Sequence, residues 1–140
     1  MRDRELSYWV SRGEDKAGFY VAEVDGEVAG TVCYVIGEDG EMEMNRMSTH
    51  KRFRGRGVAT RLLLKIEETA RRFKCSKVKF TTSANQEPAI ALYKKNGYNL
   101  VCVIFKIPPL NEFFFQDKIS YRPPVLSLVK ILHFSKKVVT

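Results

Sequence analysis

Between Phe19 and Thr49 apolar and polar positions alternate in runs rich in Val and Tyr, broken twice by an Asp-Gly pair, Asp25-Gly26 and Asp39-Gly40. Alternation with a period of two marks strands with one buried face, and Asp-Gly favours the positive φ that a tight hairpin turn demands. The spacing predicts an antiparallel meander over 18–24, 27–36 and 41–49. After Gly57 the period changes. Val58, Leu62, Ile66, Ala70 and Phe73 recur every three or four residues, while Arg61, Lys65, Glu68 and Arg72 fall on other faces, which is the pattern of an amphipathic helix. A short strand is expected at 77–82, with Val78 and Phe80 on one face, and a second helix from Asn85 to Asn96. Asn85 reads as its N-cap, Pro88 is tolerated in the first turn, and Gly97 suits the left-handed residue past the end. A further strand at 99–106 stops before Pro108-Pro109. Beyond it Phe113 to Phe115 and the run Val125 to Phe134 are apolar, and predict one more strand and a short terminal strand or helix. Strands and helices in this order imply an α/β layer with a mixed sheet.

A chain of 140 residues has the size of one domain, which excludes a multidomain enzyme with a separate cofactor domain. Cys33, Cys75 and Cys102 are odd in number, widely spaced and set in or beside apolar runs. Buried free thiols are expected, with no disulfide framework and no metal site. The net charge of +8 points to an anionic partner, whether nucleic acid, a phosphorylated cofactor or a membrane surface. No run reaches the ~18 apolar residues of a spanning helix. Met1 to Arg12 is charged and lacks the apolar core of a signal peptide, so the chain as given reads as soluble and intracellular.

The stretch from Lys51 to Ala59, KRFRGRGVA, lies between the end of a strand and the start of a helix. Glycines there let the backbone approach an anion, the first free N–H groups of the helix point at it, and the helix dipole favours negative charge. Lys51, Arg52, Arg54 and Arg56 add side-chain charge for phosphates. A Walker loop would need Gly-Lys-Ser/Thr, and the dinucleotide fingerprint would need Gly or Ala where this chain has Thr60. Both are excluded. A glycine-containing turn with a solvated basic face is the structural alternative.

About thirty residues downstream lies Asn85 to Tyr98, NQEPAIALYKKNGY. Together the two segments resemble the acetyl-CoA-dependent N-acetyltransferases of the GNAT superfamily. The first matches the family's Arg/Gln-x-x-Gly-x-Gly/Ala loop as Arg54, Gly57 and Ala59; a second register, Arg52, Gly55 and Gly57, also fits. The first is preferred because Phe53 then takes the aromatic position usual before the Arg. The second segment is similar to the family's Asn…Ala…Leu-Tyr…Gly-Tyr/Phe helix. The likeness covers roughly Gly18 to Tyr98. More narrowly, Asn45 to Ser48, the loop itself, Thr82-Ser83 and Ala89 to Tyr93 resemble the camello-like branch.

The resemblance implies a GNAT-like α/β fold, with a mixed and largely antiparallel sheet carrying helices on its faces. It also implies acetyl-CoA as cofactor and an amine as acceptor: a protein lysine, an N-terminus or a small amine such as a cysteine conjugate. Backbone groups near Met47 and Thr49 would pair with the pantetheine arm. Arg54, Gly55, Arg56, Gly57, Val58, Ala59 and Thr60 would cradle the pyrophosphate, and Asn85 would contact the cofactor further along. Tyr93 would be general acid to the leaving thiolate; the alternative is an interfacial tyrosine whose ring packs in the core.

The residues themselves say less about a base. Glu41 and Glu43 share a pleat face with Met47, so either could face a cleft; solvated strand carboxylates are the plainer reading. His50 adjoins the loop as another candidate, whereas His133 reads as structural. Only eighteen residues precede Phe19. Glu5 to Val10 fits the last of the family's opening helices, while its usual N-terminal strand and first helix are missing from the pattern, as for a single domain shortened at its start. The camello-like branch carries an apolar membrane-associated segment upstream. A shortened domain would expose apolar surface, which makes self-association as a homodimer, or membrane contact through the C-terminal run, an expectation to test. Two other readings stand beside the enzyme: a basic nucleic-acid-binding module using Lys51 to Arg56 and Lys136-Lys137, and a CoA-binding pseudoenzyme. No recognised nucleic-acid motif supports the first, so no nucleic-acid partner is expected.

Overall fold

The computed structural model describes residues 12–104 and 125–132, with backbone alone at 102–104. Strands β1 (Ala17–Val24), β2 (Glu27–Ile36) and β3 (Met42–Thr49) lead into a 3₁₀ turn at Lys51–Phe53 and helix α1 (Val58–Arg72). Then come β4 (Lys77–Ser83), helix α2 (Glu87–Lys95), β5 (Asn99–Ile104) and β6 (Val125–Ile131). The strands are hydrogen-bonded in the order β1-β2-β3-β4-β6-β5. β1/β2, β2/β3 and β5/β6 are antiparallel, and β3/β4 is parallel. This is the mixed, largely antiparallel sheet that the pattern implies. Glu5 to Val10, Cys102's side chain, Pro108-Pro109, Phe113 to Phe115, His133 and Lys136-Lys137 lie outside the described residues. The chain divides into two compact units, 1–80 with 130–140, and 81–129.

In the first unit, Asp25 and Gly26 form a two-residue hairpin turn with φ of 51° and 78°, closing Val24 onto Glu27. Asp39-Gly40 behaves differently. The ladder stops at Ile36↔Met42, so residues 37–41 make a longer connection in which Asp39 Oδ1 accepts the Glu41 N–H at 3.0 Å. β3 therefore starts one residue later than the alternation predicts.

Helix α1 covers one face of this unit. Its buried stripe is Val58, Leu62, Leu63, Ile66 and Ala70, and the strands contribute Val32, Tyr34, Met42, Met44 and Val78 to the core. Tyr20 Oη and Thr69 Oγ1 share a hydrogen bond between β1 and α1. Gly30 sets how near the helix can come. A Cβ there would lie 2.8 Å from the Ser48 carbonyl oxygen, 2.9 Å from Val58 Cγ1 and 3.1 Å from Leu62 Cδ1. Glu67, whose side chain is only 4% exposed, is paired with Lys130 Nζ at 2.9 Å. Burying a carboxylate is costly unless it is paired, and Lys130 supplies the partner. Cys33 and Cys75 are buried free thiols, and burial pushes both above the usual thiol range, as inert core cysteines behave.

In the second unit, α2 begins after Gln86 rather than after Asn85. Asn85 is not the N-cap: its Oδ1 accepts instead from Ser83 Oγ at 2.7 Å, and Thr82 Oγ1 donates to Gln86 Oε1 at 3.2 Å. Pro88 sits in the first turn, where no N–H is needed. At the other end Gly97 has φ of 88°, and the N–H groups of Gly97 and Tyr98 donate to the carbonyls of Lys94 and Tyr93 at 3.1 and 3.0 Å. This is the Schellman closure, which needs a residue tolerant of the left-handed region at C′. β5 and β6 pair with a register shift between Leu100 and Cys102.

Candidate functional site

In the first unit the chain passes from β3 into the 3₁₀ turn at His50, whose Nδ1 accepts the Arg52 N–H at 3.3 Å. Phe53 is buried and anchors the turn. The Arg52 and Arg56 guanidinium carbons stand 5.5 and 5.6 Å from its ring centroid, within cation–π range. Arg52 Nη1 also pairs with Glu27 Oε2 at 2.8 Å. Gly55 and Gly57 both have φ of 77°, and a Cβ on either would meet nothing within 4 Å among the described residues. These glycines serve backbone conformation, and the space above them is open.

Gly57 is also the N-cap of α1, with no side-chain capping bond and no acidic residue in the first turn. A helix start ordinarily has its orphan N–H groups satisfied by a Ser, Thr, Asp or Asn cap. Here a fifteen-residue helix presents its positive end without one. That end, two left-handed glycines and the cations of the loop make a cradle suited to phosphate.

β3 supplies a second feature. Its register against β2 shifts between Thr31↔Ser48 and Cys33↔Asn45, and Arg46 has φ of 53°, so a β-bulge sits at Arg46-Met47. An extra residue breaks the alternation of faces. The shared pleat face expected for Glu41, Glu43 and Met47 therefore does not carry through the bulge, and this corrects that expectation. Met47 and Thr49 are half-buried. The parallel ladder between β3 and β4 consists of Met42↔Val78 and Glu43↔Lys79, so the β3 edge from Met44 to Thr49 is not engaged by it.

Glu41 lies just before β3, and its carboxylate meets Lys77 Nζ at 2.7 Å and Lys79 Nζ at 2.9 Å. The hydrogen bond from Lys77, then that from Lys79, holds its pKa at about 2. A carboxylate so stabilised is a poor proton acceptor. Glu43 is exposed, opposite Val35 and Lys79 in the ladders.

In the second unit Tyr93 occupies the third-from-last helical position of α2, and Tyr98 lies just past Gly97. The Schellman closure brings them together, with ring centroids 6.3 Å apart in an edge contact. Such a contact commonly accompanies this closure. Tyr93 is 6% exposed, and burial pushes its phenol pKa above the ordinary value. The side chain is therefore a neutral O–H donor across the physiological range. Asn85 is exposed on the turn before α2.

Sequence reasoning missed the His50 cap, the Glu27–Arg52 pair and the bulge. A Ser, Thr, Asp or Asn before the turn would have signalled a cap, but His is not among the usual caps.

An antiparallel meander feeding a phosphate cradle at an uncapped helix start defines the class: an α/β nucleotide-cofactor-binding domain. The sequence model of the acetyltransferase (GNAT) family matches residues 2–98, and the chain belongs to that family. YdhI of Bacillus subtilis (strain 168) is 31% identical over 99 residues, which are 70% of this chain and 59% of YdhI. The chain thus spans about three-fifths of that relative's length. Among solved structures, an IAA acetyltransferase from Bacillus cereus ATCC 14579 aligns with a TM-score of 0.72 at 22% identity, covering 93% of this chain and 85% of the other. A Bacillus anthracis str. Ames protein named as a streptothricin acetyltransferase, solved with acetyl coenzyme A, aligns with a TM-score of 0.78 at 13% identity, covering 93% and 69%. A ribosomal-protein-alanine N-acetyltransferase from Brucella melitensis gives 0.72 at 23%, covering 90% and 75%. At these identities the structures establish the shared GNAT fold. No helix of the described residues is long and apolar enough to cross a membrane.

Proposed function

We propose that the chain acts as one acetyltransferase domain that binds acetyl-CoA and moves its acetyl group to an amine. The observation that carries this reading is the uncapped start of α1 behind Gly55 and Gly57, in a chain whose family model covers the same residues. The cradle fits the pyrophosphate: N–H groups of Val58, Ala59 and Thr60 supply donors, while Arg54 and Arg56 supply charge. Main-chain groups of Met47, in the bulge, and Thr49, just past it on the β3 edge, hold the pantetheine amides as an added strand would. Asn85 contacts the cofactor beyond them. When bound, the cofactor supplies the activated acetyl carbon. The neutral Tyr93 Oη–H holds the proton that the departing thiolate takes as its C–S bond breaks and the new C–N bond forms. Of the two strand carboxylates, Glu43 is the one able to accept the ammonium proton, because Glu41 is committed to Lys77 and Lys79. The acceptor is a protein lysine, an N-terminus or a small amine, and the narrower likeness to the camello-like branch favours the first and last.

The test is release of free CoA thiol from acetyl-CoA by the chain, with and without a panel of amines. Amine-dependent release is expected. Tyr93→Phe keeps the ring against Tyr98 and should lower turnover by about 10²-fold or more, the usual worth of a general acid, with CoA affinity unchanged. Equal turnover in wild type and Tyr93→Phe would remove the general acid. Amine-independent background alone, from a folded sample that binds CoA, would favour the pseudoenzyme.

A further inference from the structure

The loop carries more positive charge than a diphosphate needs, and its cations are not equivalent. Arg52 is bonded to Glu27 and lies over Phe53, and Arg56 lies over the same ring. Lys51 and Arg54 are both exposed, and the side chain of neither has an ion pair, hydrogen bond or ring contact among the described residues. They stand three residues apart across the 3₁₀ turn, where the Arg54 N–H donates to the Lys51 carbonyl. Residues i and i+3 of a 3₁₀ turn eclipse one another, so the two cations share one side of it. His50 and Phe53 form the other i, i+3 pair, with rings 6.1 Å apart. The turn is thereby sorted into an anchored aromatic side and a free cationic side.

Two like charges held side by side repel unless an anion lies between them. The anion that matches a pair of cations is a dianion. Each phosphate of a pyrophosphate linkage carries one negative charge, and the uncapped amides of α1 with Arg56 beside them can meet that demand. A phosphomonoester carries close to two charges at neutral pH, with a second pKa of about 6. Coenzyme A has one such group, on its ribose.

We propose that Lys51 and Arg54 form a second anion subsite that takes the ribose 3′-phosphomonoester of the cofactor, so that the protein distinguishes CoA from dephospho-CoA. This rests on the acetyl-CoA reading above and adds to it the part of the ligand that decides affinity. Arg54 then serves the monoester in addition to the pyrophosphate.

The experiment is titration of the full 140-residue chain with CoA and with dephospho-CoA at fixed ionic strength. Wild type, Lys51→Ala, Arg54→Ala and, as a control for bulk charge, Lys74→Ala are compared. Wild type should prefer CoA by about tenfold or more, the scale of a charge-assisted contact. Lys51→Ala and Arg54→Ala should each weaken CoA several-fold and bring the ratio toward one, with Lys51→Ala leaving dephospho-CoA unchanged. Lys74→Ala should preserve the ratio. The wild-type preference should also shrink as pH falls through about 6, where the monoester gains a proton. Adenosine 3′,5′-bisphosphate should compete better than AMP, and inorganic phosphate should compete weakly, since the nucleotide supplies the rest of the binding. Equal wild-type affinities for CoA and dephospho-CoA would overturn the subsite while leaving the acetyl-CoA reading intact. Equal losses for both ligands in Lys51→Ala would reduce Lys51 to general attraction and also overturn it. A folded chain that binds neither ligand would sink both proposals.

Discussion

At the scale of single residues, charge partners decide which groups remain available for chemistry. Glu41 answers to Lys77 and Lys79, and the hydrogen bonds from these two lysines pull its carboxyl down to about 2 from the ordinary 4.5. A folded-state pKa lowered in this way adds stability that is present above the unfolded pKa and lost as pH falls from about 4.5 toward 2. Glu41→Gln should therefore lower thermal stability slightly at pH 6 and much less at pH 2, where its carboxyl is already partly protonated, measured by melting across that window. An equal deficit at both ends would mean that the pair with the lysines is not what Glu41 contributes. The same scale shows what was legible in advance. Arg54, Gly57 and Tyr93 stand out because they fall in the two segments that resemble the family's motifs. Glu27 and Arg52 are 25 residues apart, and no local pattern pairs them. The bulge escaped because Arg46 occupies a left-handed conformation that ordinarily advertises itself with Gly or Asn.

At the scale of elements, period and punctuation were enough for nearly all strands and helices. The meander, α1 and β4 fall within a residue of the expected bounds, since one-sided burial imposes its period on the sequence. Asn85 misled because a good capping residue is also a good turn residue: Ser83 claimed its side chain, and α2 started later. The longer connection around Asp39-Gly40 arose similarly, from an Asp39 side chain that bonds the Glu41 N–H and widens the turn. What sequence could not supply is the closeness of α1 to β2 and β3, which depends on a missing Cβ at Gly30. Gly30→Ala would press against the Ser48 carbonyl and Val58. Overpacking of this kind costs about 1–3 kcal/mol, and the Ser48 and Val58 groups border the loop, so CoA affinity should fall as well. Denaturant unfolding of Gly30→Ala checks the cost, and an unchanged midpoint would mean that the helix shifts freely.

At the scale of the whole chain, the +8 charge is spent unevenly. Some of the chain's 24 Lys and Arg residues are paired, in Arg52–Glu27, Lys77–Glu41 and Lys130–Glu67, while Lys51 and Arg54 on the outer side of the 3₁₀ turn have no ion pair among the described residues and lie beside an uncapped helix start. That arrangement favours a compact phosphorylated cofactor over a long polyanion, which would need charge spread along a face. Family membership was legible from two motifs about thirty residues apart, whereas the acceptor was not, because specificity lies in the parts of a fold that its shared motifs do not cover. Binding of acetyl-CoA at the start of α1 is tested by calorimetric titration of the folded chain, with an oligonucleotide of matched charge as comparison. Saturable one-to-one binding of acetyl-CoA with a Kd of about micromolar order, falling less steeply with salt than oligonucleotide binding would, is the expected result. A folded chain that ignores acetyl-CoA and binds the oligonucleotide with a steep salt dependence would contradict it.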